Sequence, residues 1–360
     1  MSGDHGALTT SLVASTELTA LVEGIFLGHG VPAADAAVIA DHLVTANLRG
    51  VDSHGVSRVP VYIERLAGGL VRRDASVTTV RETPVSALLD GNNGSGISVA
   101  NHAMHRAIDK ARAAGIGMVS VRGSNHCGML AYYTALAARA GLLGFATTSA
   151  PATMAPWGAT RAFFGTNPLS YAIPMPESHA DIVFDMATSQ VARGKIILAA
   201  REGRRIPLGW ALGPDGQPTD DPDAGFAGVM LPLGGPKGSG LALLVETLSS
   251  VLSGALYGPW IPPLYDNDTE PQAIGHFFLA VRPDLFRPAA EFTAAMARLA
   301  TEITELPALA QQDRVYLPGE LEAETARHRR AQGIPLSEEV RADLALLDNR
   351  ANLEEREYGR

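Results

Sequence analysis

Apolar residues recur at spacings of three and four over residues 16–30 and again over 33–50, so the chain opens with two predicted helices. Pro32 favours the start of the second, and glycines stop both. Asp52 and Ser53 read as the N-cap of a third helix that runs to about Leu66 and ends at Gly68-Gly69. On that helix Val56, Val59, Ile63 and Leu66 form an apolar stripe, while His54, Arg58, Tyr62 and Arg65 line another side. The period then shortens. Residues 77–80 and 86–89 read as strands, and the turn-prone stretch 90–96 reads as a hairpin turn. Units alternate after that: helix 97–114, strand 117–121, helix 127–140, strand 143–147, a buried strand at 182–185, and helical segments near 191–201 and 237–252. This alternation predicts a layered α/β core. The tail, 320–360, is charged and helical, and is expected to pack on the core or on a second subunit.

At 360 residues and 46% hydrophobic, the chain can bury a large core and is expected to hold two or three substructures. A net charge of -9 disfavours a nucleic-acid or anionic-membrane partner, since no basic stripe is available to neutralise phosphates. Cys127 is the only cysteine, which excludes an intrachain disulfide and a cysteine-based zinc site and fits a reducing compartment. Residues 1–10 lack the features of a signal peptide and no apolar run reaches the length of a membrane span, so the expectation is a cytoplasmic protein.

Three stretches carry candidate chemistry. Gly123-Ser124-Asn125-His126-Cys127-Gly128 leaves a predicted strand and enters a predicted helix, where α/β enzymes present functional groups. His126 there is either an acid/base group near neutral pH or a hydrogen-bonded structural histidine. Asp52-Ser53-His54-Gly55, with Arg58 and Tyr62 one and two turns on, offers an imidazole, a guanidinium and a phenol to a small anion, or is an ordinary polar face. Arginine holds a carboxylate bidentately, which lysine cannot. Gly234-Gly235-Pro236-Lys237-Gly238-Ser239-Gly240 precedes an apolar helix and suits a pyrophosphate, although neither a Walker A spacing nor a GxGxxG fingerprint is present. Asp185 ends a buried strand and either contacts a cofactor hydroxyl or caps the next turn. No HExxH occurs, and His102 and His105 lack an acidic partner at a metal-binding spacing, so no metal is expected.

Asn47-Leu48-Arg49-Gly50-Val51-Asp52-Ser53-His54-Gly55, the His126 loop, Gly165-Thr166-Asn167-Pro168, Phe184-Asp185-Met186-Ala187-Thr188 and Gly235-Pro236-Lys237-Gly238 together resemble the type-2 malate/L-lactate dehydrogenase family. Order and spacing agree from about residue 16 to 347. The family includes malate, lactate, ureidoglycolate and sulfolactate dehydrogenases, diketogulonate reductase and cyclic-imine reductases. The resemblance implies an α/β fold with a mixed sheet and a helical N-terminal part that binds NAD or NADP without a Rossmann domain. It implies hydride transfer between NAD(P)H and a small 2-oxo or 2-hydroxy acid, and a homodimer. The expected organisation is a helical part at 1–75 contributing substrate residues, a cofactor-binding core at 76–280 and a mostly helical segment at 281–360.

Carried over residue by residue, the resemblance makes His126 the acid/base of one group of members and His54 the proton donor of another. Ser53, Arg58 and Tyr62 fall on substrate positions. Asp185, Met186, Ala187, Lys237 and Gly238 fall on cofactor positions, with Pro318, Gly319 and Glu320 in a late cofactor segment. The chain departs from many relatives at Ser239, where they carry an aromatic residue, and at Ala150 and Pro151. Residues 257–275 match poorly and are expected to form a loop near the substrate or the dimer interface. The alternatives are a metal-dependent hydrolase or lyase using His54, His126 and Asp185, and a non-catalytic cofactor-binding relative.

Overall fold

The computed structural model describes residues 10–358, with side chains from 11 to 349; the expectation about a leader concerns residues that lie almost wholly outside this range. In chain order the elements are β1 (Thr10–Val13), α1 (Ser15–Gly28), α2 (Ala33–Leu48), α3 (Val59–Ala67), β2 (Thr78–Glu82), β3 (Ser86–Asp90), α4 (Gly96–Ala114), β4 (Ile116–Ser124), α5 (Leu130–Arg139), β5 (Leu143–Thr148), β6 (Leu169–Ile173) and β7 (Ile182–Met186). They continue with α6 (Arg193–Arg201), β8 (Ala211–Leu212), β9 (Pro218–Thr219), α7 (Pro222–Ala227), β10 (Val229–Met230), α8 (Pro236–Glu246), β11 (Ile274–Val281), α9 (Ala289–Thr304), α10 (Glu320–Gln332), β12 (Ile334–Ser337) and α11 (Glu338–Tyr358). The described residues divide into two compact units, one made of those up to 74 together with those from 320 onward, and one of 75–319.

In the first unit α1 packs on α2 and α11, α10 packs on α2, and β1 pairs antiparallel with β12. Leu18, Val22, Ile25 and Phe26 of α1 and Ile39, Ala40 and Leu43 of α2 are buried, which accounts for the helical spacing of apolar residues in both segments. The expected third helix is shorter than its sequence pattern. Residues 52–54 and 56–58 form two 3-10 turns, separated by the extended Gly55, and the α-helix begins only at Val59. Neither Asp52 nor Ser53 caps it; both side chains bond elsewhere.

The second unit is built on a seven-stranded sheet in the order β2-β3-β4-β11-β5-β6-β7. β3 and β4 run parallel, and the other neighbours run antiparallel. Residues 91–95 therefore lead from β3 into α4 and are not a hairpin turn; the hairpin of β2 and β3 closes at residues 83–85. α4 and α5 cover one face. A Cβ on Gly144 would press on Ala137 and Thr134 of α5, whereas Thr147, three residues on and so pointing the opposite way, bonds Ser249 beyond α8 at 2.7 Å. α8 and the π-helical turn after it, Thr247–Val251, thus cover the other face.

β11 sits at the centre of this sheet, yet its sequence, Ile-Gly-His-Phe-Phe-Leu-Ala-Val, gives no alternating signal. With both faces covered, apolar residues are required on both sides, and period-2 patterning is lost. A smaller three-stranded sheet, β10-β8-β9, packs with α6 around Ile196, Ile206 and Met230, and α9 packs through Ala300 against Ile182 of β7.

Glu246, the last residue of α8, is buried and accepts hydrogen bonds from the Asn167 side-chain amide and, at 2.6 Å, from Gly258 N–H. Burial pushes its carboxyl upward, against the pull of these two donors. Glu246→Ala strands both donors in the interior, and is expected to cost about 2–4 kcal/mol, read as a lower urea midpoint at unchanged slope.

Candidate active site

In the first unit the turn carrying His54 is held by groups outside its own motif. Asn47 of α2 accepts Val56 N–H at 2.8 Å and donates to Asp52 at 2.6 Å. Asp52 in turn receives both terminal nitrogens of Arg329 on α10, at 2.7 and 3.1 Å. Gly55 is required because a Cβ there would overlap the Asn47 amide. On this frame Ser53 Oγ lies 2.9 Å from His54 Nδ1, and Arg58 donates Nε–H to the Ser53 carbonyl at 2.7 Å. Tyr62 follows Arg58 by one turn on α3, half-buried like Arg58 and His54. Ser53, His54, Arg58 and Tyr62 are thus brought together, but by two tight turns and a helix start, not by one helix face. Burial, reinforced by the Arg58 charge, pulls the His54 imidazole down to about 4.

In the second unit His126 occupies the loop between β4 and α5, which begins at Leu130 and leaves Cys127 in the loop. Gly128 N–H donates to His126 Nδ1 at 3.3 Å, and His126 N–H donates to the Gln272 side-chain oxygen at 3.1 Å. Cys127 is a buried thiol, pushed up to about 12 by its burial. Beside the loop, fully buried His276 of β11 bridges Ser124 Oγ and Thr148 Oγ1, each at 2.8 Å, and burial pulls it down to about 3.

Asp185, near the end of β7, accepts Ala131 N–H at 2.7 Å and so places a carboxylate at the N-terminus of α5. Met186 and Ala187 follow, half-buried. Pro318 and Gly319 lie against the same strand, since Val183 N–H donates to the Pro318 carbonyl at 3.0 Å and a Cβ on Gly319 would press on Val183. Glu320 opens α10 in the other unit.

The glycine-rich loop enters α8 with Gly235 in a left-handed conformation, Pro236 at the first helical position and Lys237 exposed beside it. Gly238 is glycine for packing reasons: its N–H donates to Leu233 at 2.7 Å, and a Cβ would strike Leu233 and Thr188. Ser239 N–H is likewise taken by Gly235. The exposed side of the loop is open at Gly234, where a Cβ would meet nothing within 4 Å. Gly234 N–H donates to the Gln190 side-chain oxygen and Gly235 N–H to the Pro232 carbonyl, each at 3.1 Å, so what this loop offers the phosphates of a dinucleotide is the N-terminus of α8 and the Lys237 ammonium.

The sequence pattern does not single out Gln272, His276 or the supporting Arg329, and it includes Asn47 only as a motif residue without a role. A histidine inside the apolar run of β11 was a signal for His276; nothing local marks Gln272 or Arg329. Among the described residues, no group of three or more His, Cys, Asp and Glu side chains could hold a metal ion, which offers the hydrolase alternative no ligand set.

A model of the malate/L-lactate dehydrogenase family matches residues 13–345. The chain is 37% identical over 336 residues to a malate dehydrogenase of Pyrococcus abyssi, covering 91% of each protein. It is 35% identical over 328 residues to an L-sulfolactate dehydrogenase of Methanothermobacter thermautotrophicus, covering 91% of this chain and 94% of that one. The solved sulfolactate dehydrogenase of Methanocaldococcus jannaschii superposes with a TM-score of 0.90 at 34% identity, over 95% of this chain and 98% of that one. Fold and sequence together define an α/β dehydrogenase. The chain belongs to the malate/L-lactate dehydrogenase family.

His276 is neutral when folded but takes a proton near pH 6.5 once unfolded, so acid favours unfolding. Its contribution is complete above pH 6.5 and falls away as the pH drops toward 3, by about 2 kcal/mol at pH 5. Urea titrations at pH 7.5 and 5 are expected to show this decline, with a shallower one in His276→Gln.

Proposed function

We propose that the protein is an NAD(P)H-dependent oxidoreductase that interconverts a small 2-oxo acid and its 2-hydroxy acid, working as a cytoplasmic homodimer. The observation that carries this reading is His126, held by its backbone on the loop that leaves β4, in a chain of this family. A dihydronicotinamide, when bound, would supply the hydride for the substrate carbonyl carbon. His126 gives the carbonyl oxygen its proton, and takes it back in the oxidative direction. His54 is the weaker candidate for that step. With its ionisation near 4 it is neutral at neutral pH, which suits a hydrogen bond to substrate better than proton supply. Arg58 takes the substrate carboxylate, its guanidinium oriented by the Ser53 carbonyl, and Ser53 and Tyr62 meet the remaining oxygens.

Lys237 and the N-terminus of α8 would receive the cofactor phosphates. The N-terminus of α5 is a poor second place for them, because the Asp185 carboxylate already stands there. Asp185, Met186, Ala187, Pro318 and Gly319 then serve the uncharged parts of the cofactor, with Gly238 shaping the loop and Glu320 following it. The largely antiparallel sheet supports a mode of binding outside the parallel Rossmann arrangement. The single buried thiol fits a reducing compartment, and no helix among the described residues is long and apolar enough to cross a membrane.

The homodimer is supported by an inversion on α8 and the turn after it. Polar Glu246, Ser249 and Ser250 are buried, while Leu243, Leu244, Val251 and Leu252 are 57%, 47%, 59% and 60% exposed at helical spacing. An apolar stripe turned outward beside a polar interior calls for a second apolar surface to cover it. Light scattering is expected to give twice the chain mass for the wild type, and the monomer mass for Leu244→Asp/Leu252→Asp; a wild-type monomer at micromolar concentration overturns the assignment.

Pyruvate, oxaloacetate, sulfopyruvate and cyclic imino acids, each assayed with NADH and NADPH by absorbance, test the activity. At least one 2-oxo acid is expected to turn over, and no turnover across the set refutes the reading. With that substrate, His126→Ala is expected to lose about 10²- to 10⁴-fold in kcat while still binding cofactor.

A further inference from the structure

We propose that Gln272 is a positioning residue for His126, fixing from below the backbone that carries the imidazole. The inference rests on the proton-donor reading of His126. Gln272 is fully buried, immediately ahead of β11, and both ends of its amide are used. Its oxygen accepts His126 N–H at 3.1 Å, and its nitrogen donates to the Pro262 carbonyl at 3.4 Å. The orientation is unambiguous, because a backbone N–H can only donate and a backbone carbonyl can only accept.

The rest of the loop is held by other means. His276 bonds Ser124, and Asn125 donates to Asn93 and to the Gly94 carbonyl, each at 2.9 Å. Gly96 lets α4 approach, since a Cβ there would overlap the carbonyl oxygens of Asn125 and His126. These contacts come from regular structure or from turns beside it. The partner of His126 N–H lies two residues before β11, at a separation of 146 residues, and it is the contact among these made to the backbone N–H of the residue that carries the imidazole.

Ala273 supplies a second observation. Its φ of 49° is a left-handed conformation, costly for a residue with a Cβ, and it falls between Gln272 and the first residue of β11. The chain accepts that strain where it turns Gln272 toward His126 and enters the sheet one residue later. A group that transfers a proton must sit within a fraction of an ångström of its target, and a shift of about 1 Å can cost roughly 100-fold in rate. The Gln272 bond constrains the main chain at the residue that moves the proton, so its loss is read in the chemical step and not in cofactor binding.

The test uses the full-length protein and the best 2-oxo acid found above. Gln272→Met removes both hydrogen bonds at nearly constant volume, and Gln272→Glu, held uncharged by its burial, keeps an acceptor oxygen for His126 N–H and an O–H donor for the Pro262 carbonyl. In Q272M we expect kcat to fall about 10- to 100-fold, cofactor Kd by fluorescence to stay within about twofold, and the isotope effect with the 4-deuterated form of whichever reduced cofactor is used to rise as the chemical step becomes limiting. Q272E is expected to recover most of the lost kcat. Wild-type kcat in Q272M, or a loss without a change in isotope effect, overturns the proposal. Should Q272M not fold, amide hydrogen exchange in the wild type decides: His126 N–H is expected to be strongly protected, and exchange at the rate of an open loop overturns the proposal. An impaired His126→Ala beside an unimpaired Q272M sinks the positioning role alone, whereas an active His126→Ala sinks the proton-donor reading itself.

Discussion

Strand β11 enters the sheet between β4 and β5 and runs antiparallel to both, and the arrangement of the larger unit depends on that insertion. Without it the facing edges of β4 and β5 would be left as two rows of unpaired N–H and C=O groups inside the core. The same strand brings His276 to the join, where one imidazole spans Ser124 of β4 and Thr148 of β5. A neutral imidazole can donate through one nitrogen and accept through the other, so it satisfies two hydroxyls without burying a charge. Burial in turn keeps it neutral. Structure and ionisation are therefore one constraint, and the loop carrying His126 begins where that constraint ends.

The smaller unit solves a similar problem with a different network. The turns at 52–58 carry local bonds of their own, and Asn47 together with the paired Asp52 and Arg329 ties them to α2 and α10. Arg329 reaches Asp52 across 277 positions of sequence. In both units the candidate histidine sits on a short irregular segment, and at least one group that holds that segment comes from far along the chain: Arg329 for the turn of His54, Gln272 for the loop of His126.

Several motif glycines have a plainer purpose than ligand binding. Gly55 makes room for Asn47, Gly238 for Leu233 and Thr188, and Gly319 for Val183. Asn167 of the Gly-Thr-Asn-Pro stretch is wholly buried, bonding Ala150, Ala242 and Glu246. The family's motifs thus hold the packing that brings functional groups into place as well as those groups themselves, and such residues are hard to separate by sequence.

Much of the architecture was legible without coordinates. The helical period of α1, α2 and α4 and the strand character of β3, β4 and β5 are local properties, written in spacing over a few turns. So was the placing of His126 after a strand and of Lys237 at a helix start, because turn chemistry also acts over a few residues. What spacing suggested for 52–66 was overridden: Gly55 and the Asn47 amide divide an apparently continuous helix. Only the tertiary structure decided that β11 lies at the centre of the sheet, that Asp185 faces α5, and that Gln272 meets His126. Each depends on chain closure over long separations and on surfaces buried from both sides, where the alternation that marks a strand disappears and a buried polar residue is identified only by the partner it meets.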